Sequence, residues 1–309
     1  MVRVACIGEC MIELSELADG SLTRSYGGDT LNTALYMARL GIPVDYITAL
    51  GNDGWSDEML AAWQAEGIGT DKVLRLAGRL PGLYVIQTDP SGERRFQYWR
   101  DSAAARDLFA LTETPALIEA LARDYTLLYL SGITLSLYGD AGRAVLFKAL
   151  DTARAAGVRI AFDTNFRPRG WPDREVARQA YREILDRSDI ALASTEDLDL
   201  LFGAGGTQAF LDGKHPAELV LKLAHPACCV LVDGTDEIVE APPVENVVDT
   251  TAAGDSFAAA YLAARMSGAD PADAARTGHR LAGAVVGHRG AIVPRTAMPE
   301  KVLEQKGSA

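Results

Sequence analysis

The residues Asp249-Thr250-Thr251-Ala252-Ala253-Gly254-Asp255-Ser256-Phe257 place a run of small side chains at the opening of a predicted helix and a carboxylate at its mouth. The first N–H groups of a helix have no partner inside it, and the helix dipole adds to their pull on negative charge. A phosphate fits such a place. Asp255 beside it has the chemistry of a general base: it takes the proton of a neutral hydroxyl attacking a phosphoryl group, while the free N–H groups of the helix's first turn hold the developing charge. The competing reading makes Thr250 or Thr251 a helix cap and Asp255 an acid that merely favours the positive helix end. The helix expected next, Ser256 to Met266, tips the balance, because its Ala258, Ala259, Ala260, Ala263 and Ala264 allow close packing and hence a rigid mount.

Two further clusters carry polar groups at element ends. Gly27-Gly28-Asp29-Thr30-Leu31-Asn32-Thr33-Ala34 sets two glycines before a helix that opens with Asp29, Thr30 and Asn32. It reads either as a tight turn with a side-chain cap, or as a place where a polyol approaches the backbone at Gly28 and is bound through its hydroxyls by Asp29 and Asn32. Asp163-Thr164-Asn165-Phe166-Arg167-Pro168-Arg169 follows a strand directly, at the carboxyl edge where open α/β sheets bind ligands. Arg167 and Arg169, beside a stiffening proline in an acidic chain, are candidates for a bidentate grip on carboxylate or phosphate; the alternative is a surface salt bridge, stronger for Arg169. His215, His225, His279 and His288 show no metal-ligand spacing, and His279, in a late helical segment, reads as a structural residue. Neither a G-x-S-x-G elbow nor a G-x-x-x-x-G-K-[ST] loop is present, which leaves serine hydrolase and Walker-type readings without support.

Positioning these groups takes alternating strands and helices. Val2 to Ile7 is a short apolar run stopped by Gly8, the pattern of a buried strand. A helix is predicted over Leu31 to Leu40, a strand over Val44 to Leu50 and a helix over Ser56 to Glu66. Later strands are expected at Leu127 to Ser131, Arg159 to Asp163, Ile190 to Ala193 and Glu218 to Lys222, with helices at Gly142 to Ala156 and Asp173 to Asp186. This order predicts an α/β fold with a mostly parallel sheet covered on both faces. Leu83 to Thr88 and Glu93 to Arg100, around Asp89-Pro90-Ser91-Gly92, break the rhythm as a hairpin. Its Tyr84 and Ile86 share one face of the first arm and Phe96 and Tyr98 one face of the second, an aromatic surface that needs a ligand, a second subunit or its own core as cover.

Composition narrows the class. The 309 residues, 48% hydrophobic, are ample for a sizeable core. A formal net charge of −12 argues against nonspecific nucleic-acid or anionic-membrane binding. The cysteines Cys6, Cys10, Cys228 and Cys229 form neither a disulfide framework nor a zinc array, which fits a reducing cytoplasm. Met1 to Leu14 lacks the pattern of a signal peptide, no apolar run approaches the roughly 20 residues of a membrane span, and Gln305 to Ala309 reads as a frayed tail.

With these pieces in view the chain resembles the ribokinase-like, PfkB-type carbohydrate kinases over essentially its whole length, and within them the members that act on keto-deoxy sugar acids. The likeness rests on Gly8-Glu9-Cys10-Met11-Ile12-Glu13-Leu14, Gly27 to Ala34, Arg79-Leu80-Pro81-Gly82-Leu83-Tyr84, Gly92-Glu93-Arg94, Tyr98-Trp99-Arg100 and Asp249 to Phe257. It implies one three-layer αβα kinase domain over residues 1–309, with a small β lid from roughly 13–27 and 83–100. It also implies transfer of the ATP γ-phosphoryl group to a sugar hydroxyl, with Asp255 as base and the Ala252, Ala253 and Gly254 amides as anion hole. Gly28, Asn32, Tyr84, Tyr98, Arg100 and Arg167 match positions that hold the sugar acid, the arginines supplying the counter-charge that a carboxylate needs. ATP is expected across the loop from Asp249 to Asp255, near Asn165, Arg167, Lys222 and Gly234, with Mg²⁺ on its phosphates rather than in a protein cage. The resemblance leaves room for a monovalent cation and for a homo-oligomer, a dimer through the lid. The chain departs from the family's pattern at Ser194-Thr195-Glu196-Asp197, where many relatives carry Asn-x-x-Glu and where a helix cap is the alternative role. It departs again at Leu223-Ala224-His225-Pro226-Ala227-Cys228-Cys229, where a glycine-containing nucleotide loop is usual. A neutral-sugar kinase and a sugar-binding regulator on the same fold are the competing functions.

Overall fold

The computed structural model describes residues 2–17, 19–88, 94–299 and 302–303. In chain order its strands are β1 (Val4–Ile7), β2 (Met11–Glu16), β3 (Leu22–Gly27), β4 (Val44–Ile47), β5 (Ala49–Gly51), β6 (Leu74–Leu76), β7 (Leu83–Thr88), β8 (Arg94–Trp99), β9 (Leu127–Ser131), β10 (Arg159–Asp163), β11 (Ile190–Ser194), β12 (Glu218–Lys222), β13 (Ala227–Val232) and β14 (Thr235–Glu240). Its helices are α1 (Asp29–Arg39), α2 (Gly54–Ala65), α3 (Thr114–Asp124), α4 (Gly132–Leu137), α5 (Asp140–Ala155), α6 (Arg174–Leu185), α7 (Thr195–Phe202), α8 (Gly206–Leu211), α9 (Ala253–Met266) and α10 (Pro271–Val286).

Short apolar segments become the middle of a sheet because both of their faces find cover. Val4 and Cys6 of β1 enter one hydrophobic cluster, Ala5 and Ile7 another, and Leu127 and Tyr129 of β9 part from Leu128 and Leu130 in the same way. The first cluster is closed by α1, α9 and α10, the second by α3, α5, α6 and α7. The result is three layers around an eight-stranded sheet of order β14-β13-β12-β11-β10-β9-β1-β4. Pairing is parallel from β4 to β12 and antiparallel in β13 and β14. No helix among the described residues is long and apolar enough to cross a membrane.

The expected strand over Val44 to Leu50 is two strands. The chain leaves the large sheet after Ile47, and Ala49–Gly51 pairs with Leu74–Leu76 in a sheet of its own. Burial runs on unbroken from Val44 to Gly51, so the change of partner has no local signature. β13 begins at Ala227, inside the stretch where the chain departs from the family's usual glycine-containing loop.

A second sheet of order β3-β2-β7-β8 stands apart from the first. Its β7 and β8 are the expected hairpin, whose turn at 89–93 lies outside the described residues, as does the chain after 303. Tyr84 faces Tyr98 and Ile86 faces Phe96, and the Tyr84 ring lies 5.8 Å from Tyr98 and 6.4 Å from Phe96. Tyr84 is buried and donates its hydroxyl to the Glu13 carboxylate, which also accepts from Ser25 at 2.8 Å, so one acid ties β2, β3 and β7 together. Gly27 makes this contact possible: a Cβ there would sit 2.1 Å from the Tyr84 hydroxyl oxygen. Gly27→Ala should therefore destabilise the protein by about 1–3 kcal/mol through overpacking. Adding Tyr84→Phe should recover part of that loss in urea denaturation, because the group in the way is the hydroxyl.

Candidate functional site

α9 begins at Ala253, three residues before the predicted Ser256, so Asp255 sits inside its first turn. Its Ser256 to Ala264 are all buried, which gives the mount expected from the alanines. Ala252, the residue before the helix, adopts a left-handed backbone with φ 59°, a conformation that strains a residue with a Cβ. The loop is held by Asp249, whose carboxylate accepts from the Thr251 amide at 3.0 Å, the Thr251 hydroxyl at 2.7 Å and the Gly290 amide at 2.8 Å. The structure modifies the expected set of three amides. The Ala253 N–H already donates to the Thr250 carbonyl at 3.2 Å, leaving Gly254 and Asp255 in the turn where helical N–H groups have no intrahelical partner.

Around this helix mouth the ends of α1, β10 and β12 meet. Asn32 donates to Asp255 at 2.8 Å, and Thr33 donates to the Asp255 carbonyl at 3.2 Å. Asn165, with φ 25°, donates its amide to Asp163 at 3.2 Å and its side chain to Asp29 at 2.7 Å. Lys222 reaches across from β12 to both Asp163 oxygens, at 3.1 and 3.3 Å, and its ammonium lies 3.6 Å from where a side chain on Gly254 would begin. Burial opposes the charge on Lys222, but Asp163 and Asp197 outweigh it and raise its pKa. Burial pushes Asp255 up to about 7, Asp29 and Asp163 push the same way, and Asn32 and Lys222 oppose.

A cleft of about 830 Å³ opens between the carboxyl ends of β1, β9 and β10 and the aromatic face of β8. Gly28, Asp29, Phe96, Tyr98, Arg100 and Arg167 line it, so the expected substrate residues Gly28, Tyr98, Arg100 and Arg167 are brought together. Asn165 stands beside them through Asp29, while Asn32, bonded to Asp255, sits with Lys222, Ala252 and Gly254 at the helix mouth. Gly28 is extended rather than turned, with φ 178°; it is glycine because a Cβ would lie 2.2 Å from the Glu9 carbonyl oxygen.

Tyr84 lies on the same face of the second sheet as Tyr98 and Phe96, set back behind them with its hydroxyl donated to Glu13. Gly234 lies in the turn between antiparallel β13 and β14, at the end of the sheet opposite Lys222, because Val232 pairs with Glu218 while Cys228 pairs with Lys222. Ser194 caps α7 by accepting from the Asp197 amide at 3.1 Å, and Asp197 accepts from Thr164 at 2.8 Å. His279 is buried against the Phe257 ring, 4.9 Å away, as a structural residue.

Sequence reasoning missed Glu9 and Arg106. Glu9, buried just after β1, is ion-paired with Arg100, and Arg106 lines the same cleft. Glu9 stood within a quoted motif but had no charge partner nearby in sequence; nothing local marks Arg106.

The arrangement joins a base-competent carboxylate, an open helix N-terminus, an ammonium and a guanidinium wall, the equipment for moving a phosphoryl group to a hydroxyl on an anionic molecule. The raised Asp255 carboxyl also bears on stability. The folded chain holds its proton up to about pH 7 whereas an unfolded aspartate loses it near 3.8, so folding weakens as pH rises through that interval. Asp255→Asn should raise the Tm of the ligand-free protein at about pH 8, with the gain shrinking toward about pH 5. Equal Tm differences at both pH values would show that the carboxyl is not held protonated.

Comparison with known proteins places this geometry in a family. Residues 1–298 match the model of the pfkB family of carbohydrate kinases. A 2-dehydro-3-deoxygluconokinase of Dickeya dadantii (strain 3937) is 47% identical, covering 96% of this chain and 98% of that protein. One of Escherichia coli (strain K12) is 44% identical, covering 96% and 99%. The crystal structure of a fructokinase with bound ATP from Xylella fastidiosa superposes with a TM-score of 0.82 at 25% identity, over 96% of this chain and 95% of that one. With a family match across nearly its whole length and relatives this similar, the chain belongs to the pfkB family of carbohydrate kinases.

Proposed function

We propose that this kinase transfers the γ-phosphoryl group of ATP to the terminal 6-hydroxyl of 2-keto-3-deoxygluconate, giving the 6-phosphate and ADP. The observation that carries the reading is a cleft with guanidinium groups on its wall, whose Asp29 is a charge neighbour of Asp255 at the adjoining helix mouth, a pairing suited to a sugar that is also an acid. The names of the Dickeya dadantii and Escherichia coli relatives support the same substrate. Asp255 accepts the hydroxyl proton as the oxygen bonds to the γ-phosphorus and the bridge to ADP breaks. The charge on the transferring group is met by the α9 N-terminus and by Lys222, which Asp163 holds in place. Arg100, Arg167 and Tyr98 hold the sugar acid, with Gly28 and Asn32 at its other side.

Mg²⁺ suits this site as a passenger on the nucleotide. Among the described residues no group of three His, Cys, Asp or Glu side chains could hold a metal, and Asp163 is already engaged by Lys222. On ATP's phosphates the ion supplies charge neutralisation. The four cysteines are free thiols, in keeping with the cytoplasm, and the exposed Leu22 and Trp99 of the second sheet are where a second copy would pack.

ADP release with MgATP over 2-keto-3-deoxygluconate, its galactonate epimer, fructose and ribose tests the reading. Preference for the acids is expected; turnover of the neutral sugars alone would discard the substrate. Asp255→Asn should keep the fold and lower kcat by roughly 10²–10⁴-fold, and near-normal turnover would defeat the mechanism. In the parent protein kcat/KM should fall as pH drops below about 7, because the base works only when ionised. A flat profile through that range would remove Asp255 from the role.

A further inference from the structure

Among the described residues four guanidinium groups line the cleft, and their partners divide them. Arg100 is bound to the buried Glu9 carboxylate, and Arg167 lies 3.5 Å from Asp197. Both meet a ligand already part-neutralised. Among the described residues neither Arg106 nor Arg169 has an ion pair or a side-chain hydrogen bond. These two differ in their mounts. Arg169 is on an exposed stretch after β10. Arg106 is half-buried on a short helical turn, Ala104–Ala110, whose Ala104, Leu108 and Phe109 are packed into the core. The adjacent Asp107 does not compensate it, because that carboxylate pairs with Arg79 at 2.9 Å. Arg106 lies close enough to Glu9 to favour its ionised form, so its charge reaches the corner that holds Arg100. A guanidinium on a packed helical turn with no ion pair of its own is matched by a planar anion that accepts two hydrogen bonds.

We propose that Arg106 binds the substrate carboxylate and sets the preference for an acid over a neutral sugar, with Arg100 as its part-neutralised neighbour. This rests on the proposed kinase function and assigns the recognition of its acid group.

The test is steady-state ADP release by the full chain with MgATP, for the parent, Arg106→Ala and Arg106→Lys, with Tm measured alongside. In Arg106→Ala the KM for 2-keto-3-deoxygluconate should rise about tenfold or more while kcat and the KM for ATP stay within about threefold, the signature of lost substrate binding without lost chemistry. Arg106→Lys should recover only part, because an ammonium keeps the charge and loses the fork. If the parent prefers the acids and Arg106→Ala leaves the KM for the acid unchanged, the assignment is overturned and the kinase function stands. A loss confined to kcat, or an equal rise in KM for ATP, overturns it as well, since a structural defect would not single out the acid. A parent that phosphorylates fructose and not the acid overturns the function itself, and with it the carboxylate that Arg106 would bind.

Discussion

Three carboxylates, Asp29, Asp163 and Asp255, gather at one end of one sheet, and their mutual repulsion is the constraint around which the site is arranged. Each has a nitrogen donor that makes the crowd tolerable. Asn165 serves Asp29, Lys222 serves Asp163 and Asn32 serves Asp255. In every case donor and acid come from different elements, so α1, β10, β12 and α9 are stitched by the same bonds that quiet the acids. A buried carboxylate without such a partner would take up a proton. Asp255 is left with a neutral amide donor rather than a cation, and burial pushes its pKa up to about 7.

The walls follow from that floor. Small residues bring backbones close: Gly28 lies against the Glu9 carbonyl, and the alanines of α9 let the helix carrying Asp255 sit deep between α1 and α10. Above, the aromatic arm of the second sheet divides its labour. Tyr84 anchors, while Phe96 and Tyr98 face the cleft and Trp99 on the other side meets solvent. The cover those aromatics require is thus partly core and partly the cleft itself.

Much of this was legible in the chain because it is written locally. Buried parallel strands such as Leu127–Ser131 are short apolar runs, and the helix mouth at Asp255 announces itself through small residues followed by an alanine-rich helix. What could not be read depends on direction or on distant partners. Gly234 looks like a loop glycine in sequence, and only the reversal of β13 against β12 sends it to the far end of the sheet. Thr48 is as buried as its neighbours, yet the chain changes sheets there. The Glu9–Arg100 pair joins residues from two sequence regions that carry no mutual signal, and so does the Tyr84–Glu13 hydrogen bond.

The second sheet is held together at its centre by β2 and β7, which run parallel, with Ile12 opposite Leu83 and Ser15 opposite Ile86. Parallel neighbours cannot be joined by a tight turn, so the stretch between them, which includes α1, β4 and α2, must return before the two strands can meet. The loop-closure entropy falls on the cover and not on the floor. This sheet is therefore no detachable module: no single contiguous insertion could have added it and no single excision could remove it. Its assembly reports that the core elements between its halves have already found their places.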